Sequence, residues 1–204
     1  MNTRFEFPVI MLAAGQSTRM RGRDKLLEHV EGMALLRRQA RLARAATTSL
    51  VLIALPPAPH PRYGVLEGLD VTPVPVEDAD EGMNASLRKA IAALPASATH
   101  VMVVLADMPE LTVADLRAVA QSIATHPDAL IWRGATEKGD PGHPTIFHRS
   151  LFSALSALKG DSGGRNVITA HQNKVHIVPL PTNHARLDLD TPEAWKAWRA
   201  SRET

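Results

Sequence analysis

A short apolar run that gives way to small and polar residues constrains the fold of this chain more than any other feature. Val9–Leu12 has the length and composition of a buried strand, and Ala13-Ala14-Gly15-Gln16-Ser17 interrupts it. In α/β proteins a strand that ends in such a loop brings main-chain N–H groups close to phosphates. Four cations follow between Arg19 and Lys25, and they could meet the remaining negative charge. A turn followed by a solvated basic loop is the plainer alternative.

The rest of the chain alternates between strand-like and helix-like patterns. This alternation predicts a three-layer α/β/α, Rossmann-like fold with a mainly parallel sheet, in which ligands gather at the carboxyl ends of the strands. No repeat or clear linker divides residues 1–204, so we expect a single domain. The predicted strands cover residues 49–55, 71–76 (irregular or at an edge because of its prolines), 100–106, 129–132, 175–178 and 186–189. The predicted helices cover residues 34–46, 83–94 and 151–158, with two more starting after Thr112 and Thr191, and residues 134–144 are predicted to be a loop.

Composition narrows the classes of partner. Among 204 residues, 23 basic and 21 acidic side chains leave a net charge of +2, too balanced to indicate a nucleic-acid or membrane partner. The absence of cysteine excludes disulfides, thiolate metal sites and a cysteine nucleophile. No apolar run approaches the roughly 18 residues that a membrane span needs, and the N-terminus lacks the pattern of a signal peptide. We therefore expect a cytoplasmic protein.

Asp107 is the second informative position. It directly follows the apolar run of residues 100–106 and precedes Met108-Pro109. A carboxylate at that point is costly unless it is paired or faces a crevice. Mg²⁺ binds one or two carboxylates together with substrate phosphates and water, so Asp107 is a candidate magnesium ligand beside the loop. An ordinary helix cap is the alternative.

Asp188 and Asp190 form a further acidic pair, in Leu187-Asp188-Leu189-Asp190-Thr191-Pro192-Glu193. Alternation along a strand would place both side chains on the same face. One of them could supply a second carboxylate to the metal while the other caps the last helix. Asp188 is the better candidate for the metal, because Asp190 lies closer to the cap.

The stretch from Val9 to Leu27 resembles the signature L-A-[AG]-G-x-S-x-R-M-G-x-x-K of the MobA-like nucleotidyltransferases, and within that family it is most similar to the molybdenum cofactor cytidylyltransferases. Ala106-Asp107-Met108-Pro109 is similar to the family's A-D-[MQ]-P, and the acidic pair to its D-I-D-T-P-E-D. The resemblance implies a GT-A-type fold. It also implies catalytic roles for Arg19, Lys25 and Asp107, and a metal held by Asp107 with Asp188 or Asp190. The nucleotide would contact Leu12, Ala13, Ala14, Gly15, Ser17, Arg19, Lys25 and Asp107.

Three further segments extend the resemblance. Gly82-Met83-Asn84-Ala85-Ser86-Leu87 resembles the family's G-M-S-x-S-L, which implies that Asn84 and Ser86 help to hold the base and ribose. Residues 142–144 resemble its G-H-P and residues 160–165 its G-D-x-G-x-R, which implies acceptor contacts from His143, Asp161 and Arg165. Taken alone, the first segment is also a common helix start, and each of the others is only a turn with a polar residue. Arg21 stands where the family usually has Gly.

The expected reaction is transfer of CMP from CTP to the terminal phosphate of a small acceptor, with Mg²⁺ as cofactor. The resemblance implies molybdopterin or the molybdenum cofactor as acceptor, and a molybdoenzyme or chaperone as a partner to consider. A phosphate nucleophile is already anionic, so alignment and charge cancellation matter more than a general base. A sugar- or alcohol-phosphate nucleotidyltransferase that uses CTP or GTP, and a non-catalytic protein that binds nucleotide or cofactor, are the alternatives.

Overall fold

The structure is a computed structural model that describes residues 4–160 and 162–202. Its strands are β1 (Val9–Leu12), β2 (His29–Val30), β3 (Met33–Ala34), β4 (Val51–Leu55), β5 (Thr72–Pro75), β6 (His100–Leu105), β7 (Ile131–Ala135), β8 (Pro141–His148) and β9 (Val175–Pro179). Its α-helices are α1 (Leu35–Ala46), α2 (Pro61–Gly64), α3 (Met83–Ala92), α4 (Val113–Thr125), α5 (Phe152–Ser156), α6 (Arg165–Ala170) and α7 (Pro192–Ala200). None of the described helices has the length and apolar content to cross a bilayer.

Seven strands form one sheet in the order β5-β4-β1-β6-β8-β7-β9. All neighbours are parallel except where β8 pairs antiparallel with β6 and β7. The predicted mainly parallel, Rossmann-like sheet is therefore confirmed. β5 lies at one edge, as its prolines predicted, because a proline nitrogen cannot donate to a ladder.

Helices cover both faces of the sheet because side chains alternate along its strands. Val9 and Met11 of β1 face one core, and Ile10 faces the other. The first core also receives buried side chains of α1, α4 and α7, and the second receives those of α3, α5 and α6. This is the expected α/β/α arrangement of three layers.

The sheet order determines where a ligand crevice opens. From β1 the chain builds outward to β4 and β5, then crosses back to place β6 on the other side of β1. In open α/β sheets ligands bind outside the carboxyl ends of the strands at such a switch point. The loop after β1 and Asp107 after β6 therefore meet at one edge.

Two predictions for the second half of the chain are wrong. Residues 134–144, predicted to be a loop, include the end of β7 and the start of β8, whose prolines and glycine resemble a turn. Residues 186–189, predicted to be a strand, pair with no strand among the described residues. Instead, the N–H of Leu189 donates to the carbonyl oxygen of Asp107 at 3.3 Å, which ties this segment to the end of β6.

The predicted helix starts are confirmed. Thr112 and Asp115 form a reciprocal capping box at α4. Thr191 caps α7 by accepting a hydrogen bond from the N–H of Ala194 at 3.2 Å. The cap of α7 is therefore Thr191 and not Asp190.

Candidate active site

A cleft of about 600 Å³ opens at the carboxyl ends of β1 and β6. Its walls contain most of the side chains that the sequence singles out, from four separate parts of the chain. They include Leu12, Ala13, Ala14, Gly15, Ser17, Arg19, Lys25, Ser86, Asp107 and Asp190.

The loop after β1 presents unused main-chain donors to this cleft. No described residue accepts a hydrogen bond from the N–H groups of Ala14, Gly15, Gln16 or Ser17. The backbone of Ser17 lies in the left-handed region, at φ 54°, which few non-glycine residues adopt. The φ of Gly15 lies outside this region, and a Cβ on Gly15 would meet no atom within 4 Å, so the fold itself does not require glycine at this position. Unpaired main-chain N–H groups in a loop that lines a cleft are the donors that a phosphate site needs.

Lys25 lies between two carboxylates. Its Nζ is 2.5 Å from an oxygen of Asp107 and 2.5 Å from one of Asp190. Burial lowers the pKa of Lys25, but the two carboxylates outweigh that effect, so the pKa is raised and the ammonium stays charged. Arg19 pairs with Asp190 at 2.6 Å, although 68% of its side chain is exposed. Both cations line the cleft and can meet an incoming anion.

Three carboxylates converge opposite the loop. Asp107, Asp188 and Asp190 each offer an oxygen, and these oxygens lie within 4.8 Å of one another. Burial raises the pKa of Asp188, and the neighbouring carboxylates of Asp190 and Asp107 raise it further. Burial also raises the pKa of Asp190, but contacts with Lys25 and Arg19 outweigh this, and the net shift is downward.

The same cluster fits a hard divalent cation. Oδ1 of Asp107 is buried and has no hydrogen-bond partner among the described residues, and a buried acceptor of this kind is costly unless something binds it. The donors are all carboxylate oxygens, which Mg²⁺ and Mn²⁺ prefer. No described cation pairs with Asp188, and Lys25 engages only Oδ2 of Asp107. Both oxygens of Asp190 are engaged, one by Lys25 and the other by Arg19.

The two residues expected at the base differ in position. Ser86 lines the cleft. Asn84 is fully buried, and its amide nitrogen donates to the carbonyl oxygen of Lys159 at 2.7 Å. Asn84 does not line the cleft, because its side chain turns toward Lys159 and Ser162. The amide nitrogen of Asn84 therefore makes a structural contact, and the expected contact with the base stays a prediction.

A second pocket of about 230 Å³ adjoins the first, and Leu12 and Met83 line both. It contains His143 and Arg165 from the expected acceptor set, whereas Asp161 lies outside the described residues. Burial lowers the pKa of His143 to about 4, so the imidazole is neutral near pH 7.

Sequence reasoning missed Arg133 in this second pocket. Burial, followed by the nearby charges of Arg165 and Arg186, lowers its pKa. No described carboxylate pairs with Arg133, whose one hydrogen bond is a long contact from Nε to the carbonyl oxygen of Gly142 at 3.4 Å. Three guanidinium groups that lie close together, with no acidic partner among the described residues, favour an anionic ligand. Arg133 carries no motif of its own, and the strand that holds it gave no sign of the pocket.

Sequence reasoning also missed Arg62, beneath the loop. It lies in α2, after the turn that follows β4, and is only 1% exposed. The sequence did not indicate this, because a single arginine after a proline matches no motif. Its guanidinium contacts main-chain carbonyls of the loop and the carboxylate of Asp24.

Comparison with known proteins gives four findings. The model of the MobA-like NTP transferase domain matches residues 9–175. A probable molybdenum cofactor guanylyltransferase of Synechococcus elongatus is 30% identical over 203 residues, which cover 96% of this chain and 99% of that protein. The purine catabolism protein PucB of Bacillus subtilis is 26% identical over 199 residues, which cover 91% and 92% respectively. A crystal structure of Rv0371c from Mycobacterium tuberculosis H37Rv in complex with manganese has a TM-score of 0.80 at 26% identity, covering 96% of this chain and 99% of the other.

Proposed function

Because the chain belongs to the MobA-like NTP transferase family, we propose that it transfers CMP from CTP to the terminal phosphate of a small acceptor, with molybdopterin or the molybdenum cofactor as that acceptor. The observation that carries this proposal is the position of Lys25, between the carboxylates of Asp107 and Asp190 and on the wall that the donor-rich loop also forms. A site that only binds a nucleotide does not require a cation and a carboxylate cluster at the point where charge develops.

The chemistry is an in-line displacement at the α-phosphorus. An acceptor phosphate oxygen forms a bond to that phosphorus, and the bond to the bridging oxygen of the β-phosphate breaks, so that pyrophosphate leaves. The acceptor oxygen is already anionic near pH 7 and needs no base. The free N–H groups from Ala14 to Ser17 hold phosphate oxygens, and Lys25 and Arg19 balance the charge that grows on the leaving group.

Magnesium completes the charge balance in this proposal. Asp107 and Asp188 would hold the ion, with Asp190 kept for Lys25 and Arg19. When bound, the metal supplies Lewis-acid neutralisation of phosphate oxygens. The manganese complex of Rv0371c supports a divalent ion in such a fold, and the unpartnered Oδ1 of Asp107 supports it in this chain.

The second pocket is the proposed acceptor site. The guanidinium groups of Arg133 and Arg165 suit the acceptor's phosphate, and the neutral imidazole of His143 suits a polar group that is not charged. Leu12 and Met83 lie between the two pockets, so an acceptor phosphate held there approaches the α-phosphate from the side of α3. The name of the Synechococcus relative supports a molybdenum-containing acceptor.

Guanylyl transfer is a second candidate, which the name of the same relative favours. The Ala13-Ala14-Gly15 form of the loop supports CTP, because the methyl group of Ala14 limits how closely a larger base can approach. Ala14 is 4% exposed and lines the cleft, so it is placed to exert that limit.

Pyrophosphate release tests the proposal. The protein is incubated with each of the four NTPs and Mg²⁺, with and without molybdenum cofactor. We expect release with CTP that depends on the acceptor. Acceptor-dependent release with GTP, and with none of the other NTPs, would favour guanylyl transfer over cytidylyl transfer. No release with any NTP in the presence of acceptor would overturn nucleotidyl transfer to this acceptor.

The metal site is tested separately by thermal unfolding. Mg²⁺ or Mn²⁺ should raise the Tm of the wild-type protein, because an ion that binds only the folded state stabilises it. Asp188→Asn should raise the metal-free Tm by relieving like-charge repulsion and should reduce the metal-induced rise. Asp70→Asn, at an exposed position remote from the cleft, is the control. An unchanged metal response in Asp188→Asn would remove Asp188 from the proposed ligands.

A further inference from the structure

The side chain of Arg62 is buried beneath the loop after β1 (residues 13–17, the phosphate loop), and its three guanidinium nitrogens all donate hydrogen bonds. Nη1 donates to the carbonyl oxygen of Ala13 at 2.5 Å, and Nη2 donates to that of Gly15 at 2.8 Å. Nε and Nη2 donate to the two carboxylate oxygens of Asp24 at 2.7 and 2.8 Å. Nη2 also lies 3.3 Å from Oγ of Ser17.

This network does more than neutralise a buried charge. Replacing a buried ion pair by apolar residues is often neutral or stabilising, so an ion pair alone is a weak reason to bury an arginine. Here two of the donors are directed at alternate carbonyls of the loop. Nε and Nη2 also engage Asp24. Burial raises the pKa of Asp24, but Arg62 and other donors lower it more, so the net shift is downward.

The contacts with the carbonyls determine where the N–H groups point. A trans peptide is planar, and its C=O and N–H bonds point in opposite directions. By holding the oxygens of Ala13 and Gly15 below the loop, Arg62 directs the N–H groups of Ala14 and Gln16 to the opposite side. Both of those residues line the cleft, and no described residue accepts from their N–H groups.

Asp24 extends the same control to Ser17. Oγ of Ser17 donates to Asp24 at 3.2 Å and accepts from the N–H of Lys25 at 3.3 Å. These contacts hold Ser17 at its positive φ and join the loop to the residue that carries the candidate catalytic ammonium. The position of Arg62 therefore affects both the donor array and the start of the Lys25 segment.

We infer that Arg62 is a positioning residue for nucleotidyl transfer, which shapes the phosphate loop through its carbonyls and Asp24. This inference rests on the proposed function, because it assumes that the triphosphate lies over this loop. Arg62 acts from beneath the loop, whereas Arg19 and Lys25 face the substrate.

The test compares Arg62→Met and Arg62→Lys with Arg44→Met. Arg44 also donates to main-chain carbonyls, those of Ser49 and Thr47, but on the opposite side of the fold from the cleft. Arg62→Met should weaken binding of inorganic triphosphate and raise KM for the NTP by about tenfold or more, the size expected when charge-assisted hydrogen bonds are lost. Arg62→Lys should restore part of the affinity, because an ammonium reaches fewer of the acceptors. Arg44→Met should lower Tm while KM and triphosphate affinity stay unchanged.

Chemical rescue covers the case in which Arg62→Met folds poorly. Guanidinium ion at low millimolar concentration should recover triphosphate binding in Arg62→Ala and should have no effect on the wild-type protein or Arg44→Met. Unchanged triphosphate affinity in folded Arg62→Met, or a loss in Arg62→Ala that guanidinium does not relieve, would overturn the inference. Triphosphate binding is measured without turnover, so the inference is decided even if no NTP supports transfer, a result that would count against the proposed function alone.

Discussion

At the scale of single residues, the cleft is a balance of charges around Lys25. Its ammonium meets Asp107 and Asp190, and a third carboxylate, Asp188, lies beside them with a raised pKa. A charged lysine fixed by two carboxylates is already oriented before substrate arrives. Such preorganised charge is most effective where negative charge grows during the reaction.

Lys25→Ala should therefore lower kcat far more than it weakens CTP binding, by roughly 10²–10³ in kcat if the ammonium acts as an electrostatic stabiliser. Lys25→Arg should recover only part of the lost kcat, because a planar guanidinium does not fit the place of a compact ammonium. Single-turnover rates measured beside titration calorimetry separate the two effects.

Arg21→Ala is the matched control. Arg21 belongs to the same basic segment, but it is 75% exposed and pairs at the surface with Glu193. Surface pairs of this kind contribute little, so both measurements should stay near wild type. Equal losses of binding and rate in Lys25→Ala would make Lys25 a phosphate clamp and would favour the non-catalytic alternative.

At the scale of elements, the contact between β8 and the segment before α7 decides where the second and third carboxylates lie. The N–H of His143 donates to the carbonyl oxygen of Ala185 at 2.8 Å. A Cβ on Gly142 would lie 1.8 Å from that same oxygen. The segment can pass this close to β8 only because residue 142 has no side chain. Asp188 follows three residues after Ala185, so its position depends on this approach.

Gly142→Ala should destabilise the fold by about 1–3 kcal/mol, the usual range for overpacking, and should also lower activity by displacing the acidic segment. Denaturant unfolding and the metal-induced change in Tm measure the two effects. Gly64→Ala is the control, since a Cβ at residue 64 meets no atom within 4 Å. A destabilised Gly142→Ala variant that kept its full metal response would show that the carboxylates do not depend on this contact.

At the scale of the whole molecule, a histidine cluster at the start of β6 makes stability depend on pH. His100 packs against Phe7, Trp132 and His148, with ring centroids 5.7, 5.5 and 5.2 Å away. Burial, followed by the charge of His148, lowers the pKa of His100 to about 4. The folded protein therefore keeps this ring neutral over a range in which an unfolded chain protonates it.

Stability should fall as the pH decreases from about 6.5, the ordinary pKa of histidine, toward the folded value of about 4. The sign follows because the unfolded state binds more protons across this window. His100→Phe should reduce the loss, whereas His29→Gln, at an exposed position, should not. Denaturant unfolding at a series of pH values measures the effect. An unchanged pH profile in His100→Phe would assign the acid sensitivity to other groups, among them His143 with its lowered pKa.

What the sequence determined by itself is the part of the protein that local patterns encode. The apolar runs of β1, β4 and β6, the caps at Thr112 and Thr191, and the alternation of strands with helices depend on residues near one another in the chain. The donor-rich loop and Asp107 were also predictable, because a polar residue that directly follows a buried strand must lie at an edge of the sheet. Family and fold followed from these motifs.

The tertiary structure alone decided the parts that depend on distant contacts. Lys25 and Asp190 are 165 positions apart, and Arg62 is 49 positions from the carbonyl of Ala13 that it binds. β8 was missed because its proline and glycine favour a turn locally, although pairing on both sides makes the segment a strand. Asn84 lies in a segment that resembles a nucleotide-binding motif, yet its side chain is buried and its amide nitrogen bonds to Lys159. In each case the free energy that selects the conformation comes from packing, hydrogen bonds and charges between distant segments, which no local pattern carries.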